Sequence, residues 1–122
     1  MKRFAKLTDP ALCELMTELE LSIGLSCYLQ GTNYIFEVDG VPAGFITFTI
    51  RDLHTLEIKH IYVRPEYRLL GIASKMIEWA KEYKEQENYR YLVLAVKGDN
   101  RDALGFYIKK GFVPSVIEME LS

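Results

Sequence analysis

Apolar and polar positions alternate along this chain with two different periods, and the change of period marks its elements. Residues 56–63 are rich in β-branched and aromatic types and stop at Arg64-Pro65, where proline's fixed φ and missing N–H end a sheet ladder, so they predict a strand. After a turn at Pro65-Glu66-Tyr67-Arg68, apolar residues recur at Ile72, Ala73, Met76, Ile77, Ala80 and Tyr83, the spacing of one face of an amphipathic helix. A strand feeds a helix through a short joint, and the rest of the chain is read around that joint.

Upstream, residues 3–7 predict a short first strand ended by Thr8-Asp9-Pro10, with Asp9 as N-cap and Pro10 at the first helical position. Leu12, Leu15, Met16 and Leu19 give that first helix its apolar face, while Glu14, Glu18 and Glu20 are expected on a solvated face without chemistry. Between Ser22 and Asn33 the pattern breaks around Gly24 and Gly31, with Leu25, Tyr28 and Leu29 as one further turn of helix. Residues 34–38 and 44–50 predict strands separated by Asp39-Gly40-Val41-Pro42-Ala43, and Asp-Gly is a hairpin signal. The turn 51–55 then leads into the strand before the joint and completes an antiparallel meander.

Downstream, residues 91–96 predict a fully buried strand parallel to the strand at 56–63, with the intervening helix as crossover. Residues 100–110 predict a last helix ended by Gly111, and Phe112 with residues 116–121 supply one or two final strands. No repeat, linker or low-complexity tract interrupts the chain. With 122 residues and 49% hydrophobic content, residues 1–122 are expected to form a single domain with its own core.

A net charge of -2 gives no broad basic field, so nucleic acid is not an expected partner. Cys13 and Cys27 lack CxxC spacing and clustered histidines; both are read as reduced, partly buried cysteines rather than zinc ligands. The start Met1-Lys-Arg-Phe-Ala-Lys has no apolar signal core, and no run approaches the ~18 apolar residues of a membrane span. A cytoplasmic location without membrane attachment is the expectation.

The joint itself carries candidate chemistry. Arg68-x-x-Gly71-x-Ala73 sets small residues over the first N–H groups of a helix, which lack internal partners and favour phosphate; Gly71 also lets backbone approach a ligand closely. Downstream stands Asn100-x-x-Ala103-x-x-Phe106-Tyr107-x-Lys109-x-Gly111-Phe112. In this order and separation the two stretches resemble the signatures of the GNAT superfamily of acetyl-CoA-dependent N-acetyltransferases.

The resemblance implies an α/β (α+β) fold: a mixed, mostly antiparallel twisted sheet flanked by helices. It implies acetyl-CoA as acyl donor, no metal, and direct attack by a primary amine of a small molecule or a protein. The N–H groups of Leu69, Leu70, Gly71, Ile72, Ala73 and Ser74, beside Arg68, would hold the pyrophosphate, and the strand edge at Ile61, Tyr62 and Val63 would pair with the pantetheine amides. A bulge in that strand would open the gap between it and the strand at 91–96, and a freed N–H there would stabilise the thioester oxygen. Asn100 would start the last helix and contact the pantetheine arm. Tyr107 would protonate the departing thiolate; the plainer reading is a core tyrosine beside Phe106. Glu57 would accept the amine proton, with His60 or a water as alternatives, and a strand glutamate paired with a lysine such as Lys59 as the plain reading.

Leu69 and Leu70 depart from the family pattern, which carries basic residues or glycine there. Binding through backbone N–H groups is expected to survive with less charge. Arg68, Lys75, Lys109 and Lys110 remain as nearby cations, each lysine read singly as surface charge. The short stretch before Asn33 leaves the acceptor side open and motivates an alternative, a non-catalytic acetyl-CoA sensor or partner-regulating module, against which Tyr107 argues. A cysteine acyl intermediate is disfavoured because neither cysteine sits in a motif with a base. Exposed strand edges would permit a homodimer.

Overall fold

The chain lays down β1 (Lys2–Ala5), α1 (Pro10–Ile23), β2 (Thr32–Val38), β3 (Val41–Asp52), β4 (Thr55–Val63), a 3-10 helix (Pro65–Leu70), α2 (Ile72–Gln86), β5 (Tyr91–Leu94) and α3 (Arg101–Lys109). These come from a computed structural model that describes residues 1–24, 31–96 and 100–114. The expected helical turn at Leu25, Tyr28 and Leu29, the final strands at 116–121, and Cys27 lie outside the described residues.

Asp39 and Gly40 both take positive φ, 52° and 78°, so the β2–β3 hairpin closes through the two-residue turn that its Asp-Gly pair predicts. Strands β1 to β4 pair antiparallel in sequence order, and β5 pairs parallel with β4, giving, among the described residues, a five-stranded mixed sheet in the order β1-β2-β3-β4-β5. Alternation then divides the side chains between two cores. On one face Ala5, Ile35, Phe45 and Tyr62 meet Leu12, Leu15, Met16 and Leu19 of α1. On the other, Phe36, Ile46, Phe48, Leu56, Ile58 and Val63 meet Ile72, Met76, Ile77 and Ala80 of α2. The rings of Phe106, Tyr107 and Phe112 bring α3 onto this second core. Each large apolar side chain buried here contributes about 1.5–3 kcal/mol, against about 0–1 kcal/mol for an exposed ion pair. The cores, and not surface charge, fix where the joint sits.

Several local expectations shift. β1 ends at Ala5 instead of Leu7, because the Asp9 N–H closes a turn onto the Lys6 carbonyl at 2.9 Å and leaves Leu7 exposed. β3 begins at Val41 and includes Pro42, which faces Glu37 where the register slips past Ala43; a bulge tolerates the missing N–H. The turn at 65–68 extends into the 3-10 helix. β5 stops at Leu94 and is half-exposed, not fully buried; its partner among the described residues is β4. Cys13 is a free thiol but an exposed one, donating to the Leu7 carbonyl at 3.5 Å. Among the described residues no helix is long and apolar enough to cross a membrane.

Candidate functional site

Gly71 is the pivot of the joint. Its φ of 74° ends the 3-10 helix and starts α2, a left-handed conformation that costs a side-chain-bearing residue about 1–2 kcal/mol. A Cβ built on Gly71 would meet none of the described residues within 4 Å, so among them the space above it is open. The first intrahelical bond of α2 runs from the Lys75 N–H to the Gly71 carbonyl at 3.1 Å. The N–H groups of Ile72, Ala73 and Ser74 lie ahead of it, and no side chain among the described residues caps them. Helices α1 and α3 cap themselves: Asp9 accepts from the Ala11 N–H at 2.9 Å, and Asn100 from the Ala103 N–H at 3.3 Å. Leu69 is 99% exposed and Leu70 58%, so neither leucine fills the space over the helix start with packed side chain from below.

Arg68 turns away from this opening. Its Nε donates to the Val63 carbonyl at 2.9 Å and its guanidinium lies 5.7 Å from the centre of the Tyr62 ring. It ties the loop back to the strand.

Beside the joint, β4 changes character halfway. Thr55 to Ile58 are paired on both sides, with β3 and with β5. Thr47 then faces His60 while Phe48 faces Ile58, so Lys59 is an extra residue: a β-bulge, in the strand where the family resemblance implies one. Pairing with β5 ends there. The Arg64 N–H donates to the Ala43 carbonyl at 2.8 Å, which makes Gly44–Val63 a pair without mutual hydrogen bonds and, by alternation, Ile46–Ile61 another. Ile61 and Val63 therefore direct their N–H and C=O groups away from β3, toward the edge that β5 has left. Tyr62 does the opposite. Its backbone faces β3, and its side chain sits under α1, where its hydroxyl donates to Glu18 at 3.2 Å.

Tyr107 packs edge-on between Phe106 and Phe112, ring centres 5.3 and 5.8 Å away. Burial pushes its hydroxyl above the ordinary phenol range, so it is a proton donor throughout neutral pH. α3 holds it there through a tight end: the Gly111 N–H donates to Ile108 and the Phe112 N–H to Tyr107, each at 3.0 Å. Glu57 is largely buried and paired, with Arg51 at 2.7 Å and the Thr49 hydroxyl at 3.2 Å. Its neighbours Leu56 and Ile58 belong to the α2 core, so Glu57 lies on the opposite face of the sheet from Tyr107. The two catalytic candidates are thus not brought together on one face. Asn100 is engaged as a helix cap.

A shallow groove of about 380 Å³ runs between the β2–β3 hairpin and α2, lined by Met1, Phe36, Glu37, Val38, Asp39, Leu70, Ile72 and Lys75. It meets the joint through Leu70 and Ile72 and contains neither Tyr107 nor Glu57. The acids of α1 correct the expectation of a merely solvated face. Arg64 forks onto Glu18 at 2.8–3.1 Å, reaches Glu14 at 2.9 Å and donates to the Pro42 carbonyl at 2.9 Å. Glu18 holds the Arg64 guanidinium above its ordinary range, and burial followed by Glu18 raises Tyr62. This cluster pins α1 to the end of β4, one residue before the joint. The i, i+4 spacing of Glu14 and Glu18 and the arginine before Pro65 were its signals in the sequence.

Residues 8–112 match the model of the acetyltransferase (GNAT) family. An uncharacterised N-acetyltransferase of Methanocaldococcus jannaschii is 33% identical over 85 residues, covering 65% of this chain and 38% of its own length. The chain spans between 38% and 54% of the lengths of the curated relatives it matches. Among solved structures, Ard1 from Thermoplasma volcanium superposes with a TM-score of 0.80 at 18% identity, over 94% of this chain and 84% of that one. A GNAT family acetyltransferase from Elizabethkingia anophelis with acetyl-CoA bound gives 0.79 at 18% identity, over 95% and 77%. The family match runs from the first turn before α1 to the residue after Gly111 and leaves only β1 of the described elements outside it: the chain belongs to the GNAT family of acetyltransferases.

Proposed function

We propose that this chain acts as a single N-acetyltransferase domain that moves an acetyl group from acetyl-CoA to a primary amine by direct attack. The observation that carries this reading is the juxtaposition of a helix start at Ile72–Ser74 without a side-chain cap and the edge of β4 at Ile61 and Val63, which no strand pairs among the described residues. Open space over Gly71 and N–H groups without side-chain caps fit a pyrophosphate; an edge strand with N–H and C=O groups facing outward fits an amide-bearing arm. The bound thioester supplies the activated acetyl group. Gly71, Ile72, Ala73 and Ser74 hold the phosphates through backbone, with Leu69 and Leu70 contributing backbone alone. Ile61 and Val63 orient the arm, while Arg68, Tyr62 and Asn100 act behind them, as a loop tie, a strand link to α1 and a helix cap.

Tyr107 donates its proton to the sulfur as the carbon–sulfur bond breaks, and burial keeps its hydroxyl protonated at neutral pH for this. On the other face Glu57 accepts the amine proton, directly or through His60 or a water. Arg51 and Thr49 hold the Glu57 carboxylate in place for this. The acceptor is a primary amine, small molecule or protein.

Thiol release from acetyl-CoA across a panel of primary amines tests the reading. Tyr107→Phe is expected to lower kcat about 100-fold with little change in acetyl-CoA affinity. Equal turnover in this variant removes Tyr107 from the mechanism. In Glu57→Gln the acidic limb of the pH–rate profile is expected to vanish; a limb that persists assigns the proton to another group. Tight acetyl-CoA binding without turnover on any amine would favour a sensor module instead.

A further inference from the structure

The two leucines of the joint leave its phosphate site without a charge of its own, and the four nearby cations do not stand equally. Arg68 is folded onto the Val63 carbonyl. Lys75 lines the groove beside Glu37 and Asp39. Lys109 is exposed. Lys110 differs from all three: its Nζ donates to the Ser74 hydroxyl, on the same first turn of α2 whose N–H groups are uncapped. Its side chain is only 22% exposed and lies 5.8 Å from the centre of the Phe106 ring. Glu78, one turn further along α2, is 3.7 Å away and 55% exposed, and is shared with Lys81 at 3.4 Å. The Lys81 Nζ in turn donates to the Lys110 carbonyl at 2.5 Å, so the end of α3 is clamped to α2 from two directions.

We propose that Lys110 is a pyrophosphate-binding residue: α3 supplies in trans to the loop the positive charge that Leu69 and Leu70 do not. The proposal rests on the reading of the joint as the acetyl-CoA site. Two lysines against one carboxylate leave the cluster cationic, and the half-buried setting of Lys110 shields its charge less than bulk water would. A lysine sharing a hydroxyl with the helix start is a step from an anion seated on the Ile72–Ser74 N–H groups, and a charged contact of this type commonly changes affinity about tenfold.

The test is competition calorimetry on the full chain, with wild type, Lys110→Met, Lys110→Arg, and Lys84→Met as a control of equal charge change at the far end of α2. Acetyl-CoA is titrated directly; inorganic pyrophosphate and S-acetylpantetheine, which carries no phosphate, are scored as competitors. Lys110→Met is expected to weaken acetyl-CoA and pyrophosphate about tenfold and to leave S-acetylpantetheine unchanged, with Lys110→Arg restoring most of the loss. Lys84→Met should change none of the three. Equal weakening of S-acetylpantetheine would show that Lys110 merely holds α3 in place and would overturn the proposal. So would unchanged acetyl-CoA affinity, or a loss for acetyl-CoA that pyrophosphate does not share. A wild-type protein that binds no acetyl-CoA overturns the reading of the joint, and this proposal with it.

Discussion

The starts of α1 and α2 solve the same problem in opposite ways. Both follow a strand and both open a helix that buries four apolar side chains against the sheet. At α1 the problem is closed locally: Asp9 caps the Ala11 N–H, Pro10 removes one donor, and Arg3 binds the capping carboxylate at 2.6 Å. At α2 it is left open, since Gly71 has no side chain to offer and none of the described residues stands over it. A helix start that forgoes about 1 kcal/mol of capping must be held by its packing, and the Ile72, Met76, Ile77, Ala80 face does so. The difference separates a helix end that serves the fold from one that is available to a ligand.

Variants at the caps sharpen this contrast. The largest stability effect is expected from Gly71→Ala, which should cost about 1–2 kcal/mol in denaturant unfolding through its positive φ alone, with Gly71→Asn milder because Asn tolerates that conformation. If Ala and Asn cost the same, the conformation is not what selects glycine here. Next comes Asp9→Ala, expected to cost about 1 kcal/mol and to leave acetyl-CoA affinity unaltered. Its effect depends on pH in a defined direction. The Arg3 hydrogen bond holds the Asp9 carboxyl below its ordinary value of about 3.9, so its contribution is complete above that pH and is lost as pH falls through the depressed folded value. The stability difference between wild type and Asp9→Ala should therefore shrink in strong acid. Smallest is Asn100→Ala, about 0.5 kcal/mol at an exposed cap of 3.3 Å. An accompanying loss of acetyl-CoA affinity would give Asn100 a second role at the pantetheine arm.

What was legible in the sequence was local. Asp9-Pro10, Asp39-Gly40 and the Gly71 joint each specify a backbone geometry within a few residues, and each is found where its residues stand. The hairpin and crossover signals gave the pairing of successive strands, and the GNAT resemblance added the mixed sheet and the expectation of a bulge. What escaped was set by register and by distant partners. Lys59 as the extra residue of β4 follows from how β3 and β4 align, which composition does not encode. Glu18 reads as one more acid on a solvated face until Arg64, 46 positions away, is brought beneath it. Glu57 finds Arg51 and not Lys59, because the bulge at Arg51 and Lys59 changes which side chains share a face. Lys110 is indistinguishable from Lys109 in the sequence; only the approach of α3 to α2 places one of them on Ser74.

The most direct test of the central claim is a calorimetric titration of acetyl-CoA into the wild-type protein and into Gly71→Glu, each first shown to be folded by its thermal transition. Saturable binding in the wild type, lost by at least about 100-fold when a carboxylate stands over the Ile72–Ser74 N–H groups, is the predicted result. Equal binding by both proteins would contradict the account, because the phosphates would then be held somewhere other than the uncapped start of α2.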